Sequence, residues 1–162
     1  MMRVGGFSDS HGDWEALDEL LEKMGHVDAV CFLGDIAKDA DHLRDRLAAM
    51  PGQPPLYAVR GNNDYFSTCQ LPWDLLIELD GARIYMTHGH RMVSYMSLVY
   101  KAQELQANAA LFGHTHAAFC EVQQGVLLLN PGSAGNYCRG GRARASVLEI
   151  RSGQMRVSNV SL

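Results

Sequence analysis

Apolar positions follow two different periods along this chain. Arg3–Phe7, Ala29–Leu33, Leu56–Val59 and Ala109–Phe112 are short, largely apolar runs bounded by turn formers, too brief for helices and suited to buried strands. Between them the spacing changes to helical. Trp14, Leu17, Leu20, Leu21 and Met24 fall on one helical face, opened by acidic residues and closed by Gly25. Leu43, Leu47 and Met50 recur at i, i+4 and i+7 before Pro51, and Leu98, Ala102 and Leu105 mark a third helix within Ser97–Asn108, a stretch free of Pro and Gly. Leu75–Leu79 and Arg83–Thr87 flank Asp80-Gly81, a hairpin signal. Further strands are predicted at Phe119–Val122, Val126–Leu129, Ser146–Arg151 and Met155–Val160, joined by turns that contain Gly125 and Gly153. A βαβ half followed by a β-rich half predicts an α/β fold of two packed sheets with helices on their outer faces.

Composition narrows the function. The 162 residues, 47% hydrophobic and 20% charged, fit one globular domain, 1–162, that buries enough surface to fold without a metal or disulfide. Any metal is therefore expected to serve chemistry. No apolar stretch approaches the ~20 residues that span a bilayer, so no membrane association is expected. The run before Asp9 is too short for a signal peptide, which predicts a cytoplasmic protein. Cys31, Cys69, Cys120 and Cys138 form no C-x-x-C pair and read as reduced thiols. The net charge of −4 is uneven: nine basic residues face seventeen acidic ones before position 139, and five face one from position 139 on. A general nucleic-acid surface is not expected, whereas a local anion site at Arg139–Arg144 is compatible with this distribution.

The chemistry follows the strands. Five of them exit into Ser8-Asp9-Ser10-His11-Gly12, Gly34-Asp35, Arg60-Gly61-Asn62-Asn63-Asp64, His88-Gly89-His90 and Gly113-His114-Thr115-His116. In open α/β sheets ligands bind beyond the carboxyl ends of the strands, so these loops can converge. Asp9, His11, Asp35, Asn62, His88, His114 and His116 are imidazole, carboxylate and amide ligands for divalent ions, too many for one ion and suited to two, with Asp35 as the bridge. The D-x-H and H-x-H spacings would bring ligands to one side of an extended loop. His26 and His42 lack this setting and read as surface residues. Asn130-Pro131-Gly132-Ser133 reads as a turn near the site mouth.

These motifs, D-x-H, G-D, G-N-x-D, H-G-H and G-H-T-H followed by N-P-G-S, resemble the small single-domain phosphodiesterase branch of the calcineurin-like metallophosphoesterases, over Asp9 to Ser133. The resemblance implies a four-layer sandwich of two mixed β-sheets flanked by helices and a binuclear centre holding manganese, iron, zinc or nickel, manganese first. Asp9, His11, Asp35 and His116 would hold one ion, and Asp35, Asn62, His88 and His114 the other. Two dications against two carboxylates leave a positive surplus that draws phosphate oxygens and acidifies a bridging water, whose hydroxide would attack phosphorus in line without a Ser or Cys nucleophile. Asp35 and Asn62 would thus be catalytic. Many relatives carry His after the motif Asn, where this chain has Asn63, a position facing substrate; His90 remains as a candidate proton donor. Arg142 and Arg144 are candidate phosphate contacts, Gly140-Gly141 allowing their loop to bend. The expected partner is a small phosphoester, with a homodimer or homotetramer as the assembly found among similar proteins. The competing readings are a protein-binding scaffold similar to the retromer subunit of this fold, and a nuclease, which the net charge disfavours.

Overall fold

The computed structural model describes residues 1–64, 70–135 and 142–162. Strands β1 (Met2–Phe7), β2 (Ala29–Phe32), β3 (Leu56–Ala58), β9 (Arg144–Arg151) and β10 (Gln154–Ser161) form one sheet in the order β10-β9-β1-β2-β3. Strands β4 (Asp74–Leu79), β5 (Ala82–Thr87), β6 (Ala109–Leu111), β7 (Phe119–Gln123) and β8 (Val126–Asn130) form the second, in the order β4-β5-β6-β8-β7. Both sheets are mixed: β1, β2 and β3 are parallel, as are β5, β6 and β8, and β9, β10, β4 and β7 pair antiparallel at their flanks.

Helices α1 (Trp14–Met24) and α2 (Ala37–Ala48) cover the first sheet, and α3 (Tyr95–Glu104) covers the second. Four layers result. Between the sheets lie Val4, Cys31, Leu33, Val59, Ile84, Met86, Leu111, Leu129 and Ile150. Leu17, Leu20, Leu43 and Leu47 pack on Phe7, Val30, Phe32 and Val147, while Leu98, Val99 and Ala102 pack on Tyr85, Ala110, Phe112 and Leu128. Successive residues of β2 thus face the helices and the other sheet in turn, which is why central strands read as unbroken apolar runs. The Cys31 thiol is pushed up to about 12 by burial, an inert core group, and Cys120 is exposed. Cys69 and Cys138 lie outside the described residues.

The capping chemistry fixes the helix ends. Asp13 accepts from Ala16 N at 3.1 Å to start α1, and Gly25 with φ 69° ends it. α3 begins at Tyr95, earlier than the predicted Ser97, because Ser94 and Ser97 form a reciprocal capping box. It stops at Glu104 rather than Asn108: Gln106 takes a left-handed φ of 56°, and Asn108 Oδ1 accepts from Arg83 N at 2.7 Å, tying it to β5. His42 lies on α2 as expected and is half-buried there. It stacks on Trp14 with centroids 4.6 Å apart and hydrogen-bonds Asp18 at 2.7 Å, linking α2 to α1. His26 is exposed as expected. Among the described residues no helix is long and apolar enough to cross a membrane.

Candidate metal centre

Strand direction gathers the chemistry. The six parallel strands send their following loops to one edge of the sandwich, while the antiparallel β4 ends at the far edge, where Asp80 O accepts from Gly153 N. Asp9 N donates to Gly34 O at 3.1 Å and Ala134 N to Ser8 O at 2.8 Å, tying together the exits of β1, β2 and β8. The Asp9 carboxylate is fully buried. Its Oδ2 accepts from Ser8 Oγ at 2.6 Å and from His114 N at 2.9 Å, and its Oδ1 has no hydrogen-bond partner among the described residues.

Around that oxygen lie His116 Nε2 at 3.4 Å, His88 Nε2 at 3.7 Å and His11 Nε2 at 4.0 Å. His11 Nε2 is also 3.6 Å from Asp35 Oδ2 and 3.2 Å from His116 Nε2, so ligand atoms of Asp9, His11, Asp35 and His116 all fall within 4.8 Å of one another. On the other side of Asp35, His88 Nε2 lies 3.4 Å from Oδ1 and 2.9 Å from Asn62 Oδ1, which is 3.2 Å from His114 Nδ1. His88 Nδ1 donates to Leu33 O at 2.7 Å, which turns Nε2 toward the cluster. Asp35 therefore separates two groups of donors. A divalent ion fits them: imidazole nitrogen and carboxylate oxygen are its usual ligands, and it would answer the unpartnered Asp9 oxygen.

The ligands do not reach inward by extended alternation, as the spacing argument expects. Asp9, His11, Asp35, His114 and His116 all adopt left-handed backbone, with φ of 53°, 48°, 64°, 68° and 60°. Such conformations cost non-glycine residues about 1–3 kcal/mol each and persist where surrounding contacts enforce them. Asn62, Asn63 and His114 are exposed while Asp9, Asp35 and His88 are buried, so the centre opens on the Asn62–His114 side.

Electrostatics reinforce the geometry. Burial alone would raise the Asp35 pKa, yet the hydrogen bond and charge of His88 and the two Asn63 donors hold it down at about 2. Burial alone would lower His88, but Asp35 and Asp9 outweigh it and raise its pKa. Asn63 is turned toward the carboxylate rather than into open substrate space: its N and Nδ2 donate to Asp35 Oδ1 and Oδ2 at 3.0 and 2.8 Å. His90 is half-buried beside the rings of His88 and His114, with centroids 5.6 and 6.3 Å away, and burial and the His88 charge lower its pKa. Arg142 is exposed. Arg144 opens β9 and lays its aliphatic stem where a Cβ on Gly132 would stand. Arg139, Gly140 and Gly141 lie outside the described residues.

Several residues that brace the centre carry no ligand chemistry in the sequence. Asp39, fully buried on α2, accepts from Gly12 N at 2.8 Å, Trp14 Nε1 at 2.7 Å and Ser10 Oγ, which shapes the Asp9–His11 loop. Asp64 accepts from Ala37 N and Gly61 N at 2.8 and 2.9 Å. Asn130 donates to Gly113 O and Thr115 Oγ1, and Ser133 Oγ to Asp9 O, so the N-P-G-S turn supports two of the ligand loops. The G-N-x-D and N-P-G-S motifs signal three of these four residues; Asp39 reads only as an acid in the first turn of a helix.

A calcineurin-like phosphoesterase superfamily domain matches residues 2–153. The chain belongs to this superfamily. It is 33% identical over 136 residues to the probable metallophosphoesterase YsnB of Bacillus subtilis, covering 82% of this chain and 75% of that protein. The crystal structure of a conserved uncharacterised protein of Streptococcus pneumoniae, described as a predicted phosphoesterase, superposes with a TM-score of 0.77 at 30% identity, covering 99% and 89% of the two chains. The fold is shared further. Wild-type Vps29 of Entamoeba histolytica, solved as a zinc complex, matches with a TM-score of 0.74 at 21% identity over 99% of each chain. Superfamily membership and the likeness to this relative support a metallophosphoesterase-type hydrolase.

Proposed function

We propose that this superfamily member is a binuclear phosphoesterase that hydrolyses small phosphoesters, with Asp9, His11, Asp35 and His116 holding one divalent ion and Asp35, Asn62, His88 and His114 the other. The observation that carries the reading is the buried Asp9 Oδ1, unpartnered and ringed by three imidazole Nε2 atoms. When bound, such ions supply Lewis acidity toward phosphate oxygens and activate water. The protein's own part is positional. Ser8 and His114 N hold one Asp9 oxygen so that the other faces the cluster, Leu33 O fixes the ring of His88, and Asn63 clamps both oxygens of Asp35.

Among the described residues the leaving group finds no strong acid. Asn63 has no proton to give, and His90, with its pKa lowered, is neutral near neutral pH. A positioned acid is worth roughly 10²–10⁴-fold. Aryl phosphodiesters, whose leaving groups depart without protonation, are therefore the preferred substrates, and the alkyl analogues react more slowly.

The test is metal analysis of the purified chain loaded separately with manganese, iron, zinc and nickel, alongside hydrolysis of bis(p-nitrophenyl) phosphate. Two ions per chain and metal-dependent turnover are expected. Asp35→Ala should lower kcat/KM on the order of 10³-fold or more, and His26→Ala should leave it intact. Because a Vps29 of this fold was solved with zinc, metal uptake alone does not separate enzyme from protein-binding scaffold; turnover does. A chain that binds metal and hydrolyses neither aryl diesters nor monoesters is a scaffold.

A further inference from the structure

We propose that Arg144 grips a non-bridging oxygen of the reacting phosphate, an anion contact that β9 supplies to the metal centre. This deepens the phosphoesterase reading and rests on it. Strand register brings Arg144 to the edge of the sandwich where the ligand loops gather. β9 runs antiparallel to β1 with Ser146 opposite Gly6, so the start of β9 lies beside the β1 exit that carries Asp9. Along β9 the side chains of Leu148 and Ile150 enter the space between the sheets, and by the same two-residue alternation Arg144 shares their face. It is the charged member of that row, at the end nearest the centre.

Two contacts hold it there. Arg144 N donates to Ser133 O at 2.9 Å and Ser133 Oγ to Asp9 O at 2.8 Å, which ties the residue through one turn to the Asp9 loop. Its aliphatic stem lies on Gly132, where a Cβ would stand 2.6 Å from Arg144 Cδ, 2.7 Å from Cγ and 3.4 Å from Ala118 N. Gly132 thus leaves the room in which the stem passes, against the segment that follows His116.

The head group is the observation that asks for a ligand. Its Nε is buried without a partner, and among the described residues the side chain makes neither hydrogen bond nor ion pair. A guanidinium stays protonated and offers five N–H donors in a fixed fork that matches phosphate oxygens. Its own segment does not answer it: Glu149 is the single acidic residue from position 139 on, and it pairs with Arg3 at 2.9 Å. A phosphate at the metal centre brings the missing acceptor, and the contact tightens as charge gathers on the phosphoryl oxygens. Arg142 is exposed and has no such cradle, so of the two arginines that the sequence offers the structure selects Arg144.

The experiment measures binding of phenylphosphonate to the manganese-loaded full chain by calorimetry at fixed free metal, with metal content and melting temperature read on each variant. Arg144→Met keeps the apolar stem on Gly132 and removes the charge. It should weaken binding about tenfold or more with metal content unchanged, and Arg144→Lys should recover part of the loss. Arg156→Gln, a loss of the same charge on β10, should bind as wild type does. Binding within about twofold of wild type in a fully loaded Arg144→Met overturns the contact even if diesters are hydrolysed. If Arg144→Met takes up less metal, Arg144→Gln is read against the same limit, and loss of metal in both makes Arg144 a brace for the Gly132 turn and overturns the contact. A wild-type chain that binds phenylphosphonate through Arg144 and turns over no phosphoester keeps the contact and overturns the hydrolase.

Discussion

At the scale of single residues the centre is set by close approach. A Cβ on Gly61 would stand 2.2 Å from Asp35 Oδ1 and 2.5 Å from Asp35 N, and one on Gly113 would stand 1.9 Å from Ser8 Oγ. The atoms met are hydrogen-bonded side-chain oxygens of Asp35 and Ser8 and, at Gly61, the Asp35 backbone as well, so relief there requires the ligand loop to move. Gly61→Ala should therefore displace Asp35 and lower metal content well below that of wild type, read by elemental analysis after dialysis; full loading would contradict the shared position of Asp35. His88 supplies a pH signature in the metal-free chain. Its pKa is raised, so its contribution to stability is complete below the ordinary 6.5 and is lost as pH rises through the folded value. Asp35 works in the opposite sense, contributing above 3.8 and losing its contribution as pH falls toward about 2. Relative to His88→Asn, the metal-free melting temperature of the wild-type chain should thus fall as pH rises above about 6.5. The comparison separates His88 from His90 and His114, whose lowered pKa values act in the opposite sense. Metal affinity rises with pH because His88 Nε2 must shed its proton to ligate. A wild-type advantage over His88→Asn that grows with rising pH would count against the His88 environment described here.

At the scale of elements, the two periods of the sequence locate nearly every strand and helix, because strands buried on both faces and helices buried on one leave different apolar patterns. The ends were less legible. α3 is shifted by a capping box and by the Asn108 link to β5, one local in sequence and one 25 residues away. The buried carboxylate of Asp39 joins α2 to the Asp9–His11 loop and to Trp14 at the start of α1. Asp39→Ala leaves three donors without their acceptor, and should cost on the order of 3 kcal/mol in denaturant unfolding together with weaker metal binding. A loss of stability with metal affinity unchanged would make Asp39 a helix brace alone. His42→Ala, which removes the stack on Trp14 and the bond to Asp18, should lower stability by about 1 kcal/mol and leave metal content unaltered.

At the scale of the whole molecule, the centre draws on loops that follow β1, β2, β3, β5 and β6, and so spans both sheets. An ion held there stabilises the sandwich by mass action. Free metal at a hundred times its dissociation constant adds about 2.7 kcal/mol, so calorimetric scans should show melting rise with metal concentration and fall on chelation. In Asp35→Ala that response should be largely abolished. A wild-type chain whose melting ignores both metal and chelator would contradict a centre built across the two sheets.

The sequence by itself determined the layers, the order of the elements and the placing of ligand-type residues at strand exits, because burial periodicity and turn chemistry are local properties of the chain. The tertiary structure decided which of those residues meet. Left-handed backbone at Asp9, His11, Asp35, His114 and His116 directs their side chains, and contacts between distant segments hold that backbone in place. Asn63 bound to Asp35, the unpartnered oxygen of Asp9 and Arg144 laid on Gly132 likewise depend on segments that only folding brings side by side. Spacing along a chain fixes periodic burial; the direction in which a loop side chain points is fixed by what packs against it.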